Sequence, residues 1–341
     1  MKEKITFGVF GVAHHHSRPF AETIERHPRT KLVGVYDSDE KKGRAFADKF
    51  SIPFSKNIDG LLGKVQAGIV TCENAQKKDM AIALAKAGKH ILSDKPLGIS
   101  PKESAEIIKT CNDNNVKLQV GYLSRYTPEA LEAKRIIDSG KIGKVQFVSG
   151  ENRVDVGSVK ELSPWLALSS DNGGRGAVLE HCVHVADLAQ WYVGSPAVSA
   201  YAVRAKNLDP TFEVEDNFTI HVGYKNGACA TLDGSYCRPT SGRSGDLVLW
   251  IAGEKGELRL MIRKKALELI ERQEPRVDSS TIQTKLGDSY EGFATWNMID
   301  DLVDCILNDK TPLTCGEDAM RINSLVEACY KSLKNGSRVK V

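Results

Sequence analysis

The chain lacks a disulfide or zinc framework. Its eight cysteines (Cys72, Cys111, Cys182, Cys229, Cys237, Cys305, Cys315 and Cys329) are scattered, without a C-x-x-C pair, which excludes a zinc knuckle and a small disulfide-stapled secreted scaffold. Charge of one sign is also missing: 47 Lys+Arg against 44 Asp+Glu leave a net +3, too near neutral to argue for nucleic acid or an anionic membrane as partner. No apolar run is long enough for a bilayer. The longest uncharged stretch, Leu188–Val203, is interrupted by Gln190, Gly194, Ser195, Pro196 and Ser199. There is no internal repeat, no low-complexity tract, and no small-residue cleavage signature behind Met1-Lys2-Glu3-Lys4. A cytoplasmic soluble protein is the expectation.

What is present is ordinary globular material: 341 residues, 41% apolar and 27% charged. That length favours two domains, each able to bury a core. Up to about Gly121, short apolar runs (5–12, 31–36, 68–72, 90–92, 117–120) alternate with helical patterns (17–26, 40–50, 79–87, 100–111). Pro19 sits near the first turn of one helix, and Ser100-Pro101 forms a cap followed by proline at the start of another. Strand–helix alternation at this spacing predicts right-handed βαβ crossovers and a doubly wound parallel sheet. Beyond Gly121 the texture changes. Helices are predicted over 128–139, 178–192, 296–307 and 319–333, among short strands at 145–154, 218–224, 228–232, 247–252 and 258–262. Asn226-Gly227 is a hairpin dipeptide. The reading is therefore a nucleotide-binding domain over 1–122 and an α+β domain with a large, mostly antiparallel open sheet over 123–341.

The first strand runs into Gly8-Val9-Phe10-Gly11-Val12-Ala13-His14-His15-His16. A dinucleotide-binding turn uses three glycines, for the turn, for backbone approach to pyrophosphate and for helix–strand packing. Only Gly11 is retained. Ala13 takes the second position at the cost of one methyl, and His16 takes the third, where its ring must point away from the strand. His14 and His15, at a helix N-terminus, suit phosphate contact or cap geometry. Three consecutive histidines are expected to point apart and not to share a metal ion, so no metal is expected. Asp37 ends the second strand, where a carboxylate accepts from the adenosine ribose hydroxyls and repels a 2′-phosphate; a turn residue in Asp37-Ser38-Asp39 is the other reading. NAD is expected over NADP, with Ser38 able to contact a phosphate.

Two further stretches carry a resemblance. Gly88-Lys89-His90-Ile91-Leu92-Ser93-Asp94-Lys95-Pro96 resembles the GKHVxxEKP signature of the Gfo/Idh/MocA oxidoreductases, relatives of glucose–fructose oxidoreductase and inositol dehydrogenase. Gly173-Gly174-Arg175-Gly176-Ala177-Val178-Leu179-Glu180-His181-Cys182-Val183-His184-Val185-Ala186-Asp187 is similar to the family's GGGxLxDxGxHxxD stretch. Glu215-Asp216, Gly253–Leu258, Gly316-Glu317-Asp318 and Ala328–Ser332 follow in the family's order, so the resemblance covers nearly the whole chain. It departs at Asp94 for Glu, Glu180 for Asp and Cys182 for Gly. It departs also at Thr71-Cys72-Glu73-Asn74-Ala75-Gln76-Lys77, where the usual TPN…H loop has lost its proline and carries Lys77 for His.

The resemblance implies a lysine, Lys95, beside the nicotinamide, often with a cis peptide before Pro96. It implies cofactor contacts at Cys72, Glu73, Asn74, Asp94 and Pro96, and a substrate-edge loop at Arg125 and Tyr126. It also implies a dimer or tetramer. On an α-helix, Glu180, His184, Asp187 and Trp191 fall along one stripe. A carboxylate four residues before an imidazole can hold its tautomer, an arrangement suited to proton transfer and equally found in a satisfied core histidine. In the catalytic reading His184, steadied by Glu180, takes the alcohol proton, and Lys95 stabilises the developing alkoxide. Asp187 joins the substrate contacts. Trp165 offers a platform for a sugar ring, or fills a gap between domains. The expected function is an NAD(H)-dependent oxidoreductase interconverting a secondary alcohol and ketone on a sugar, polyol or inositol-like substrate. An NAD-dependent glycosidase of the same architecture and a non-catalytic dinucleotide sensor are the alternatives.

Overall fold

Strand β1 (Ile5–Phe10) is buried along almost its whole length, as a strand covered by helices on both faces must be. The computed structural model describes residues 4–154, 159–161, 165, 175–236, 247–262, 266–273, 276–283 and 290–341. β1 pairs in parallel with β2 (Thr30–Tyr36) and β4 (Ala67–Val70). β3 (Phe54–Ser55), β5 (His90–Ser93) and β6 (Leu118–Val120) complete a six-stranded parallel sheet of order β3-β2-β1-β4-β5-β6. The order reverses between β1 and β4, so the turns leaving their carboxyl ends open the crevice where such sheets bind ligands.

The crossover helices are α1 (Ser17–Arg26), α2 (Glu40–Phe50), α3 (Ile58–Leu62), α4 (Asn74–Lys86) and α5 (Pro101–Asp113). Local chemistry sets their starts. Asp39 accepts from the Lys42 N–H, Asn57 from Gly60, and Ser100 from Glu103 with Pro101 at the first helical position.

The second sheet has nine strands in the order β14-β13-β12-β11-β7-β10-β9-β8-β15. They are β7 (Val145–Asn152), β8 (Ala197–Val203), β9 (Thr219–Tyr224), β10 (Cys229–Asp233), β11 (Leu247–Gly253), β12 (Gly256–Met261), β13 (Ala266–Gln273), β14 (Arg276–Gln283) and β15 (Val339–Lys340). All neighbours are antiparallel except β7 and β10. Asn226-Gly227 turns β9 into β10, with Gly227 at φ +90°. Helices α6 (Pro128–Asp138) and α7 (Val183–Val193) pack on this sheet, α6 over β12 and β13 and α7 over β7, β10 and β11. Val148, Leu232, Leu249, Ile251, Leu258 and Leu260 are fully buried. The alternate positions leave Phe147 37% and Trp250 40% exposed on the sheet's other face.

The chain divides into two compact units, one containing residues up to Leu123 with Glu291–Met320, the other Ser124 onward with Arg321–Val341. A boundary at 122/123 puts everything downstream in the second domain. Instead most of α8 (Tyr290–Leu307) belongs to the first unit. The reason is chemical. Thr295 meets Thr23 at 2.9 Å, Asp300 meets His27 at 3.0 Å, and Gln119 donates to the Met298 carbonyl and to Asp301. The last helix, α9 (Gly316–Asn335), follows. Among the described residues no helix is long and apolar enough to cross a membrane, and every described cysteine is a free thiol.

Candidate active site

In the first unit the site is built on the turns after β1, β4 and β5. Gly11 stands at φ +84°, and a Cβ there would come within 2.3 Å of Cys72 Cβ, so the turn requires glycine twice over. Thr71 Oγ1 donates to the Gly11 carbonyl at 2.6 Å, and the His14 N–H donates to the Thr71 carbonyl. Asp37, nearly buried, accepts the Val12 N–H on one oxygen and the Asp39 N–H on the other, both at 2.7 Å. A carboxylate has about four lone-pair sites, so these two bonds fasten the turn and leave acceptor capacity for a diol. Ser38, beside it, is exposed. Cys72 is buried and its thiol is pushed up to about 12 by that burial, so it stays protonated. Asn74 is fully buried and Glu73 half-buried at the start of α4.

The histidine run departs from its expected geometry. The ring centres lie 4.3–4.4 Å apart, with His14 stacked on His15 and His16 tilted to one and edge-on to the other, and one ring nitrogen of each lies within 4.8 Å of the others. They converge because Asp94, completely buried at the end of β5, draws two of them in. Its oxygens meet His14 Nδ1 at 2.9 Å and His16 Nδ1 at 3.0 Å. A carboxylate can only accept, so the His16 ring proton lies on Nδ1 toward Asp94, while His14 Nδ1 sits between Asp94 and the His16 backbone N–H, 3.2 Å away. Burial pushes His14 down to about 3 and lowers His15 further. For Asp94 burial acts upward, yet the two imidazoles hold it well below the usual carboxylate range. His16 thus points away from its own strand, as the lost third glycine demands, and clasps the first turn to β5. Gly121 makes room for this: a Cβ there would lie 2.7 Å from Asp94 Oδ1. The expectation that the histidines point apart is corrected, and among the described residues they form the one group able to converge on a metal ion.

Asp94 leads directly into Lys95-Pro96, joined by a cis peptide bond. Lys95 is 2% exposed. Its carbonyl, and that of Pro96, accept from the buried Lys77 ammonium at 2.7 and 3.4 Å. Sequence reasoning noticed Lys77 only as a departure at the family's histidine position. A lysine on the first turns of α4, facing a chain end with carbonyls to satisfy, was the available signal.

In the second unit, α7 is preceded by a π-helical turn, Val178–Cys182, which changes the angular spacing assumed for a continuous α-helical stripe. Glu180 is fully buried and His184 nearly so. The His181 ring lies 6.0 Å from that of His184 and edge-on to Tyr236 at 4.9 Å, with its Nδ1 3.3 Å from Asn152 Nδ2. The start of this segment is closed by Glu215. It accepts the Val178 N–H at 3.1 Å and its own carbonyl accepts the Ala177 N–H.

Arg125 and Asp187, both expected at the substrate, lie against each other. They form a buried two-pronged pair, Nε to Oδ2 at 2.7 Å and Nη2 to Oδ1 at 2.5 Å, with the guanidinium 5.2 Å from the Trp191 ring centre. Each spends its fork on the other, because an isolated charge at either position would be costly. Tyr126 is buried beside them in sequence, and Trp165 is 8% exposed. Gly173 and Gly174 of the second signature lie outside the described residues.

The chain matches two family models. Residues 5–122 match an oxidoreductase family with an NAD-binding Rossmann fold, and residues 130–259 match the GFO/IDH/MocA C-terminal domain. It is 24% identical to scyllo-inositol 2-dehydrogenase (NAD(+)) of Bacillus subtilis (strain 168), covering 100% of this chain and 97% of that one. Glucose-6-phosphate 3-dehydrogenase of the same organism is 22% identical, covering 100% and 99%. Among solved structures, levoglucosan dehydrogenase in complex with NADH and L-sorbose superposes with a TM-score of 0.87 at 22% identity, covering 99% of each chain. With both of its domains matched, the chain belongs to the Gfo/Idh/MocA family of NAD-binding oxidoreductases.

Proposed function

We propose that this protein interconverts a secondary alcohol and a ketone on a sugar, polyol or inositol-like substrate, with NAD preferred over NADP. Lys95, His184 and Glu180 handle the proton. The observation that carries the reading is the construction around Lys95, a buried ammonium at the carboxyl end of β5 held from both sides. Asp94 is clasped by two histidines on one side, and Lys77 grips the backbone on the other. So much buried polar machinery around one lysine is costly unless its position matters. The inositol and sugar dehydrogenases among its relatives supply the substrate class.

The dinucleotide, when bound, supplies the hydride acceptor or donor. Gly11, Ala13, His14, His15, Asp37, Ser38, Cys72, Glu73, Asn74, Asp94 and Pro96 are the residues proposed to shape its site, the backbone at Gly11 admitting the pyrophosphate. The Asp37 carboxylate repels a 2′-phosphate, which sets the preference for NAD. Oxidation of an alcohol requires loss of its hydroxyl proton as the carbon gives up hydride. His184 takes that proton, Glu180 stabilises the imidazolium, and Lys95 stabilises the oxygen as charge builds on it. For ketone reduction the roles reverse. Arg125, on the substrate-edge loop, is held by Asp187 and the pair faces the substrate, with Tyr126 and Trp165 offering ring surface. The reaction belongs to the cytoplasm, where free thiols persist.

The test is turnover on a panel of polyols and sugars by Lys95→Ala, His184→Ala and the double variant. Each single change is expected to lower kcat by roughly 10²–10⁴ with NAD affinity nearly unchanged. The double variant should lose little more than the worse single, the signature of two groups serving one step. Single variants that retain wild-type rates on a true substrate refute the assignment.

A further inference from the structure

We infer that Glu215 is a positioning residue that holds the π-helical turn carrying Glu180 and His181 and leading into His184. The inference rests on the assignment of Glu180 and His184 above. Three features of the second unit converge on it. The Glu215 carboxyl accepts the Val178 N–H at 3.1 Å, and the Tyr330 hydroxyl lies 3.0 Å from the same oxygen. Tyr330 also reaches the Arg175 carbonyl, while the Arg175 guanidinium sits 4.6 Å from the Tyr330 ring centre. Gly176, at φ +78°, passes so close that a Cβ would lie 2.4 Å from the Glu215 carboxyl carbon. One carboxyl therefore occupies the helix entrance, is braced from α9, and fits only because the entering residue has no side chain.

A π-turn is a strained way to begin a helix, and its first N–H groups have no partner within the helix. Glu215 satisfies the one at Val178 with its side chain, and its backbone carbonyl satisfies Ala177. Glu180 and His184 follow within two turns, so loss of the clamp translates and rotates their side chains rather than merely loosening a surface. The charged and titratable groups facing Glu215 are Tyr330 from α9, Arg204 after β8, and Tyr236 after β10, which also faces Glu180. Burial pushes Glu215 up to about 7, against the pull of the Val178 N–H, Tyr330 and Arg204. The clamp thus changes charge close to neutrality, beside two groups assigned to proton transfer.

Two measurements test it. Turnover and NAD affinity are compared for wild type, Glu215→Ala and Glu215→Gln. The Ala variant is expected to lose about 10–100-fold in kcat with NAD affinity unchanged. The Gln variant, which keeps the acceptor and cannot ionise, recovers most of that loss, and its pH–rate profile differs from wild type only by the missing contribution of Glu215. Amide hydrogen exchange of the peptide spanning 176–184, at one fixed pH, should show lost protection in the Ala variant and retained protection in the Gln variant. If Glu215→Ala does not fold, Tyr330→Phe removes the brace without a large cavity and must give the same pattern in weaker form. Wild-type exchange in the Ala variant overturns the clamp whatever the assay shows. Disturbed exchange with unchanged kcat overturns its role in positioning. A wild-type enzyme that turns over nothing on the panel counts against the proposed function alone, because the exchange experiment still decides the clamp.

Discussion

Two buried lysines in the first unit have opposite jobs. Lys77 is structural, since its ammonium closes on the Lys95 and Pro96 carbonyls with no exposed surface. Lys77→Met removes the charge while keeping the volume and strands those acceptors. Loss of a charged hydrogen bond in a buried setting is expected to cost about 1.5–3 kcal/mol, read as a lower urea midpoint with an unchanged m-value. Glu215 gives a pH-dependent counterpart. Its folded value of about 7 lies above the ordinary glutamate value of 4.5, so the native state holds a proton that the unfolded chain releases. Its contribution is fully present below the unfolded value and is lost as pH rises through 7, on the order of 3 kcal/mol. Glu215→Gln removes this loss, so its melting temperature relative to wild type should rise between pH 5 and pH 8. An unchanged difference across that range contradicts the titration.

The same scale shows where sequence reading fails. Asp94 was legible as a family position, but its capture of His14 and His16 depends on β1 and β5 flanking β4, a tertiary fact. Arg125 and Asp187 each read as a polar group offered to substrate. Only the fold shows that they pair with each other.

Elements with their own local signals were read well. α1 and α2 are found at 17–26 and 40–50, the spans their helical pattern predicts, and α6 differs from its expected span by one residue. Those that went unread owe their existence to neighbours. β3 is two residues long and is fixed by pairing with Val35 and Tyr36. β15 is held against Ala200 and Ser199 of β8 from the far end of the chain. β14 is mostly polar, with Asp278, Ser279, Ser280 and Thr281 in a row, and its antiparallel pairing with β13 between 266 and 283 is one that apolar alternation does not announce. The π-turn is invisible in composition, because Val178–Cys182 reads as helix of any kind. At this scale Gly11→Ala is the informative change. The left-handed backbone and the collision with Cys72 together predict a loss of more than about 2 kcal/mol and weaker NAD binding, measured by calorimetry. A variant that binds NAD like wild type would show that the turn relaxes.

For the whole molecule, the open sheet leaves one face uncovered in a single chain. Trp250, 40% exposed, lies beside Arg259 on β12 and Ser149 on β7, with Phe147, 37% exposed, on the same side. A second copy of the chain is the partner proposed for this face, as a dimer or tetramer. Sedimentation velocity of the wild type should show a species larger than 37.4 kDa, and Trp250→Glu with Phe147→Glu should reduce it to that mass. A monomeric wild type refutes the proposal.

Glu291–Met320 returns to the nucleotide-binding unit after most of the chain between Ser124 and Tyr290 has gone to the other. During synthesis, strands β1 to β6 therefore leave the ribosome without Thr295, Met298, Asp300 and Asp301, the residues that satisfy Thr23, His27 and Gln119. The half that holds the dinucleotide begins first and is finished nearly last. Its buried polar atoms wait, unpaired or hydrated, while some 170 residues are added at roughly 5–20 per second.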